Sequence, residues 1–151
     1  KIVYVAIPDS GPSYILNGEP LENKKIDAKY FFAKFFLFNY TNFDKTTFDR
    51  TIGQTRFWMT EDLWGRLKDQ YIDLKEKADV LDLTQVAKIT SVDEPTKNLF
   101  TATAESKVLV RGKVKKYKGE FAMEIKPAPF VRGFNENGFE VLRLEEKWDE
   151  I

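Results

Sequence analysis

The chain has 151 residues, of which 42% are hydrophobic and 15% aromatic, and its 24 basic residues balance its 24 acidic ones. This length suits one domain with a buried core, and zero net charge gives no general attraction to nucleic acid or to an anionic membrane. The absence of His and Cys excludes the usual general base, thiol nucleophiles, disulfides and most zinc sites, so that only carboxylate, Lys or Tyr chemistry stays open.

The first segment, residues 1–24, is predicted to be an extended arm, followed by a single domain over residues 25–151. Lys1 to Ile7 is rich in β-branched residues and ends in a turn with two prolines and a glycine. Tyr14 to Leu16 is predicted as a second short strand, closed by Asn17-Gly18.

The first predicted helix runs from about Lys25 to Asn39. Its apolar residues fall within an arc of about 160°, and they are Ala28, Phe31, Phe32, Phe35, Phe36 and Phe38. We expect this stripe to form the core, with Phe31, Phe35 and Phe38 filling the interior. Tyr30 and Leu37 lie off the stripe and are therefore better candidates for contacts with a partner.

Two further helices are predicted before the strands begin. The second, from about Phe43 to Thr55, is short and polar, and Gly53 weakens its end. The third is capped by Thr60 and has acidic residues in its first turn, where the helix dipole favours them. Its apolar face consists of Leu63, Trp64, Leu67, Tyr71 and Leu74.

Beyond residue 80 the apolar period changes to two, which indicates antiparallel strands. Val86 to Val92 is the first, and residues 93–98 form a turn. In the next strand, alternate residues from Phe100 to Val114 share the inner face. This length requires a bend at Gly112 or near Glu105-Ser106.

The last part of the chain is predicted to continue the sheet. Lys118-Gly119 reads as a turn before a strand over Phe121 to Ile125, and residues 135–138 read as a hairpin turn. The final strand spans Phe139 to Leu144, followed by a charged tail over residues 145–151.

This order predicts an α+β fold, in which three helices pack on a curved four-stranded antiparallel sheet. The arrangement resembles the nuclear-transport-factor-two-like (cystatin-like) cone, whose members include enzymes as well as binding proteins. Ser106 is the only hydroxyl expected on the concave face, and no carboxylate is expected there. We therefore predict no catalytic residue, cofactor or metal ligand.

Basic residues are concentrated in one segment, namely Arg111, Lys113, Lys115, Lys116 and Lys118. The preferred interpretation is a solvated strand face that discourages aggregation. Binding of single-stranded DNA is the alternative, although nucleic acid is not the expected partner because few aromatic residues lie nearby.

Three large rings, Phe130, Phe134 and Trp148, lie in a loop rich in Pro and Gly or in the charged tail. They form either a lid on the core or a docking surface. With Tyr30 and Leu37 they complete the set of candidate protein contacts.

Several strings of the sequence resemble the TraE family of conjugative type IV secretion systems, relatives of the eighth VirB component. The resemblance rests on the arm ending in Tyr14 to Gly18, the string Tyr30 to Thr41, the strand string Val108 to Val114, and the final Asn137 to Val141. The Asn-Pro-x-Gly turn of the VirB branch is absent, and residues 127–130 read Pro-Ala-Pro-Phe instead, which favours the TraE branch.

The resemblance implies a bitopic inner-membrane protein of a Gram-negative bacterium, with a transmembrane helix before this periplasmic domain. It further implies a scaffold without a cofactor that associates with itself, as a dimer or higher oligomer, and with other secretion components in channel or pilus assembly. The alternative is a small-molecule-binding or enzymatic member of the same cone superfamily. A hollow interior with converging polar groups would favour that alternative.

Overall fold

A computed structural model describes residues 4–6, 14–16 and 21–151, with side chains from residue 28 onward. Strand β1 (Tyr4–Ala6) pairs antiparallel with β2 (Tyr14–Leu16). The remainder of the predicted arm before residue 21 lies outside the described residues.

Two α-helices and two short 3₁₀ segments precede the main sheet in the described part of the chain. Helix α1 spans Leu21–Thr41, and it begins earlier than predicted. The expected second helix is wrong: 3₁₀ segments Phe48–Arg50 and Ile52–Trp58 occupy that region. The threonines and Gly53 in this region are weak helix formers, which explains why no α-helix forms there.

Helix α2 spans Glu61–Val80 and begins as predicted. The Thr60 hydroxyl accepts a hydrogen bond from the Leu63 amide at 3.2 Å, which satisfies one of the free donors at the helix start.

The main sheet is antiparallel with strand order β3-β4-β5-β6, which confirms the predicted α+β class. Its strands are β3 (Thr84–Thr96), β4 (Leu99–Val110), β5 (Lys113–Pro127) and β6 (Phe139–Glu150).

The turn between β4 and β5 lies at Arg111-Gly112, with φ angles of 50° and 78°. Two positive φ values in a two-residue loop match the twist of a hairpin. The predicted turn at Lys118-Gly119 is therefore wrong, because those residues continue β5. Val114, which was assigned to the inner face, is exposed.

The core lies between α1 and the inner face of the sheet. Alternate residues of β4 and β5 are buried there, namely Phe100, Ala102, Ala104, Phe121, Met123 and Ile125. They meet the buried face of α1, which consists of Phe32, Ala33, Phe36 and Leu37.

The buried face of α1 is rotated by roughly 100° from the predicted stripe, at 100° per residue. Phe31, Phe35 and Phe38, which were expected to fill the interior, are exposed. Between residues 30 and 38 the helix is apolar almost all round, with Lys34 as the one charged residue. The apolar period alone therefore could not determine which side of α1 faces the sheet. The small side chain of Ala33 lets the helix lie close to the sheet.

Polar contacts attach α1 and the residue that follows it to both ends of β3. The Lys29 ammonium donates to Asn98 Oδ1 at 3.0 Å and to Glu94 Oε2 at 3.3 Å, near the β3–β4 turn. After the helix, the Asn42 side chain exchanges two hydrogen bonds with the backbone of Ala87, at 2.9 and 3.1 Å.

The connection from β5 to β6 is a loop over residues 128–138 rather than the tight hairpin predicted at 135–138. Asn135 is buried, and its Nδ2 donates to the Phe139 carbonyl at 2.8 Å. Strand β6 then continues to Glu150, through most of the predicted charged tail.

Candidate functional site: an aromatic surface on helix α1

The outward face of α1 carries four aromatic side chains around Lys34. Their exposed fractions are 38% for Tyr30, 55% for Phe31, 47% for Phe35 and 52% for Phe38. Rings are normally buried, and a contiguous exposed group of them marks an interaction site in soluble proteins.

The aromatic rings continue from α1 onto the neighbouring 3₁₀ segment and loop. The Phe35 ring lies 5.0 Å from that of Trp58, whose Nε1 donates to the Phe134 carbonyl at 3.2 Å. Phe134 packs edge-on against Phe57 at 5.2 Å, and the Arg56 guanidinium lies 4.5 Å from the Phe57 ring centre.

We call this the aromatic surface; its members are Tyr30, Phe31, Phe35, Phe38, Phe57 and Phe134. Tyr30 packs against Phe31, Phe35 against the buried Trp58, and Phe57 against Phe134, so that five of the six rings are supported by a neighbouring ring. Such rigid rings lose little conformational entropy when a partner covers them.

The predicted contact residues fall in different places. Tyr30 and Phe134 belong to the aromatic surface, and Phe130 is exposed in the β5–β6 loop. Leu37 is 0% exposed and packs in the core. It therefore cannot be a surface contact, and its assignment is wrong. Phe31, Phe35 and Phe38 were not included in that set, because the predicted stripe placed them inside.

Trp148 closes the core at one end of the sheet. Its ring packs edge-on against Phe121 at 5.4 Å and lies over Gly119, its register partner on β5. Trp148 was expected to be either a lid on the core or part of a docking surface, and this packing favours the lid.

The five basic residues predicted as a patch are all exposed, with Arg111 in the β4–β5 turn and the lysines along β5. Alternation divides them between the two faces of the hairpin. Lys116 and Lys118 lie on the outer face, and Lys113 and Lys115 lie on the opposite face.

The inner face of the sheet does carry a carboxylate, contrary to expectation, and this is Glu146, whose side chain stays exposed over part of its surface. Glu146 is opposite the buried Phe121 in the register, so it faces inward from β6 toward Tyr40. Burial raises the pKa of the Glu146 carboxyl, although its hydrogen bond with Tyr40 opposes the shift. Burial also raises the pKa of Tyr40, and the charge of Glu146 adds to this increase. From the sequence, the last strand was expected to end at Leu144 and Glu146 to lie in a charged tail, so this pair was missed.

The cavity beside Tyr40 and Glu146 has a volume of about 70 Å³ and a largely apolar lining that includes Trp64, Leu67 and Leu74. This space is enough for a few water molecules, since one water needs about 10–15 Å³ of such space. Glu146 also borders a wide open groove of about 500 Å³ with Asp93, Glu120 and Glu145. Its carboxyl is therefore buried on one side while part of the side chain stays exposed.

Ser106 is buried on the inner face of the sheet, as predicted. Its Oγ has no hydrogen-bond partner in the described part of the chain. No helix among the described residues is long and apolar enough to cross a bilayer.

Comparison of the sequence with protein families and with curated proteins finds no match. Solved structures, in contrast, share the fold over most of the chain. The soluble domain of TrwG from Bartonella grahamii is 12% identical with a TM-score of 0.63, over 90% of this chain and 99% of that one. VirB8 of Agrobacterium tumefaciens is 10% identical with a TM-score of 0.66, over 90% and 99%.

A TraE protein in complex with 2-(2-furyl)isonicotinic acid is 18% identical, with a TM-score of 0.55 over 83% of this chain and 96% of that one. In each case the similarity extends over nearly the whole of the solved chain. This chain therefore has the fold shared by these type IV secretion proteins, as the TraE resemblance predicted.

Proposed function

We propose that this domain is a non-catalytic scaffold of a conjugative type IV secretion system, acting in the periplasm as part of a bitopic inner-membrane protein. It positions other components in channel or pilus assembly through protein contacts. The observation that carries the proposal is the aromatic surface, since four exposed rings on one helix face are costly to leave in water. The shared fold with TrwG, VirB8 and TraE supports the assignment to a secretion system.

The size of the interior supports a role without catalysis. A pocket for a typical small molecule encloses roughly 300–1,000 Å³, whereas the enclosed cavity beside Tyr40 holds about 70 Å³ and the groove of about 500 Å³ on the other side of Glu146 is wide open to solvent. The enclosed cavity is therefore too small to hold a substrate beside the hydrogen-bonded Tyr40 and Glu146 side chains.

The test is site-specific photocrosslinking in cells that produce the whole secretion system. A photoreactive phenylalanine derivative replaces Phe38, which is 52% exposed on the aromatic surface. The matched control replaces Ile72, which is also 52% exposed but lies on α2. We expect position 38, and not position 72, to crosslink to a second copy of this chain or to another secretion component. Equal crosslinking at both positions, or none at position 38, would overturn the assignment of the surface.

A second candidate is a small-molecule-binding protein, which the Tyr40–Glu146 pair favours. The TraE structures in complex with small aromatic carboxylic acids lend it support. Titration with 2-(2-furyl)isonicotinic acid, followed by amide chemical shifts, distinguishes the two. Saturable shifts at Tyr40 and Glu146 that are lost in Glu146→Gln would support a pocket at this pair.

A further inference from the structure

The hairpin formed by residues 107–118 concentrates positive charge in a chain whose formal net charge is zero. It contains six cations and no carboxylate, and these are Lys107, Arg111, Lys113, Lys115, Lys116 and Lys118. All six are exposed. Within the described residues, none of them forms an ion pair. We call this segment the basic hairpin.

The tip of the basic hairpin projects beyond the neighbouring strands. On one side β3 begins at Thr84, opposite Leu109, and on the other side β6 ends its pairing with Glu150 opposite Tyr117. Residues 111–116 are consequently all exposed, and a Cβ added to Gly112 would meet only open space. The tip can therefore approach a flat surface before the rest of the domain does.

Aliphatic side chains lie among the cations on the outer face of the hairpin. Leu109 and Val114 are opposite each other in the register and are 39% and 55% exposed. Val86, which is 56% exposed, lies in the adjacent row beside Lys107 and Lys116. This face thus presents three aliphatic groups bordered by lysines.

We propose that the basic hairpin binds the surface of a membrane rich in anionic lipid. The cations would contact the lipid phosphates while Leu109 and Val114 enter the boundary between headgroups and acyl chains, as in other interfacial segments. This goes beyond the scaffold function and does not depend on it. Nucleic acid fits less well because strand binding relies on stacked rings. The one ring of the hairpin, Tyr117, is half-buried on the inner face.

The experiment measures flotation of the 151-residue chain with vesicles. One set contains phosphatidylglycerol mixed with phosphatidylcholine, and the other contains phosphatidylcholine alone. The double variant Lys113→Glu/Lys116→Glu tests the charges, and Arg66→Glu/Lys68→Glu on α2 is the matched control. Leu109→Ser/Val114→Ser tests the aliphatic contact. Circular dichroism verifies that each variant is folded.

We expect binding only to the phosphatidylglycerol vesicles, and weaker binding at higher salt. Each charge near an anionic surface changes affinity by about fivefold. Lys113→Glu/Lys116→Glu changes the net charge of the hairpin by four, so the affinity of this variant should fall by more than about a hundredfold. The α2 control should bind nearly as well as the unmodified chain. The serine variant should lose about tenfold.

Three results would overturn the proposal. The first is equal loss in the α2 control, which would indicate a nonspecific charge effect. The second is unchanged binding in the serine variant, which would exclude aliphatic insertion. The third is tighter binding to a labelled single-stranded oligonucleotide than to the vesicles, which would assign the hairpin to nucleic acid instead.

Discussion

The indole ring of Trp148 occupies the space directly above Gly119. A Cβ built on Gly119 would lie 2.6 Å from Cζ3 of that ring, well inside van der Waals contact. The glycine is thus required by packing, since its φ is not positive.

We expect Gly119→Ala to displace Trp148 from Phe121 and to lower the free energy of unfolding by about 1–3 kcal/mol, as overpacking does elsewhere. Urea denaturation followed by tryptophan fluorescence measures this loss. Gly65→Ala is the control, because nothing lies within 4 Å of its Cβ position on exposed α2. It should raise stability by about 1 kcal/mol through helix propensity. Equal effects in both variants would contradict the packing argument.

Two neighbouring phenylalanines of α1 should respond differently to truncation. Phe36 is 0% exposed, and Phe36→Ala should cost about 3–5 kcal/mol because it leaves a cavity. Phe35 is half-exposed, and its contact with Trp58 should contribute about 1 kcal/mol. Thermal unfolding of the two variants distinguishes the core face from the aromatic surface. A larger loss at Phe35 would restore the stripe that the sequence predicted.

The Glu146 carboxyl should make stability fall as pH rises. Its pKa in the folded state is raised above the ordinary value of 4.5, chiefly by burial, so the folded state binds the proton more tightly than the unfolded state does. The stability that this provides is fully present below pH 4.5 and is lost as pH rises through the folded-state pKa. The test compares unfolding of the unmodified chain and Glu146→Gln across this range. The variant should gain relative stability toward neutral pH, and a constant difference would contradict the raised pKa.

Asp44 should show the opposite dependence. The Thr46 hydroxyl and the Thr47 amide donate to its Oδ1 at 2.7 and 2.8 Å, and these hydrogen bonds lower the Asp44 pKa to about 2. The stabilisation is therefore present above the ordinary value of 3.8 and is lost as pH falls toward 2. Asp44→Asn should remove this acid-sensitive part, which denaturation at pH values between 2 and 5 would reveal. Parallel profiles for the two proteins would show that the turn does not depend on the charge.

The elements with local signals were predictable from the sequence. Thr60 caps α2 as expected, because a cap needs only one hydroxyl and the amides that follow it. The alternation of β4 also identified its inner face correctly. The end of β4 was missed because the apolar alternation in the sequence runs on through Gly112 to Val114. A two-residue turn shifts the alternation by one position, so that Val114 moves to the outer face.

The candidate site was harder to predict because it depends on tertiary contacts. Because α1 is almost uniformly apolar between residues 30 and 38, its period does not show which rings face the sheet. Phe31, Phe35 and Phe38 were therefore assigned to the wrong side and Leu37 to the surface. In the sequence, Glu146 looks like part of a charged tail. It faces inward only because β6 pairs it with Phe121. In both cases the partner element, distant in sequence, decides the environment.

The attachment of α1 to β3 also limits how the sheet can associate with other chains. Asn42 occupies the outward hydrogen-bonding groups of Ala87, and the Phe43 backbone pairs with that of Gln85 at 2.8 and 3.0 Å. An open sheet edge would invite an incoming strand to add to it. Here the first part of that edge is already closed by the chain itself. An assembly partner at this position must therefore recognise side chains, which makes the contact selective for sequence rather than for any extended peptide.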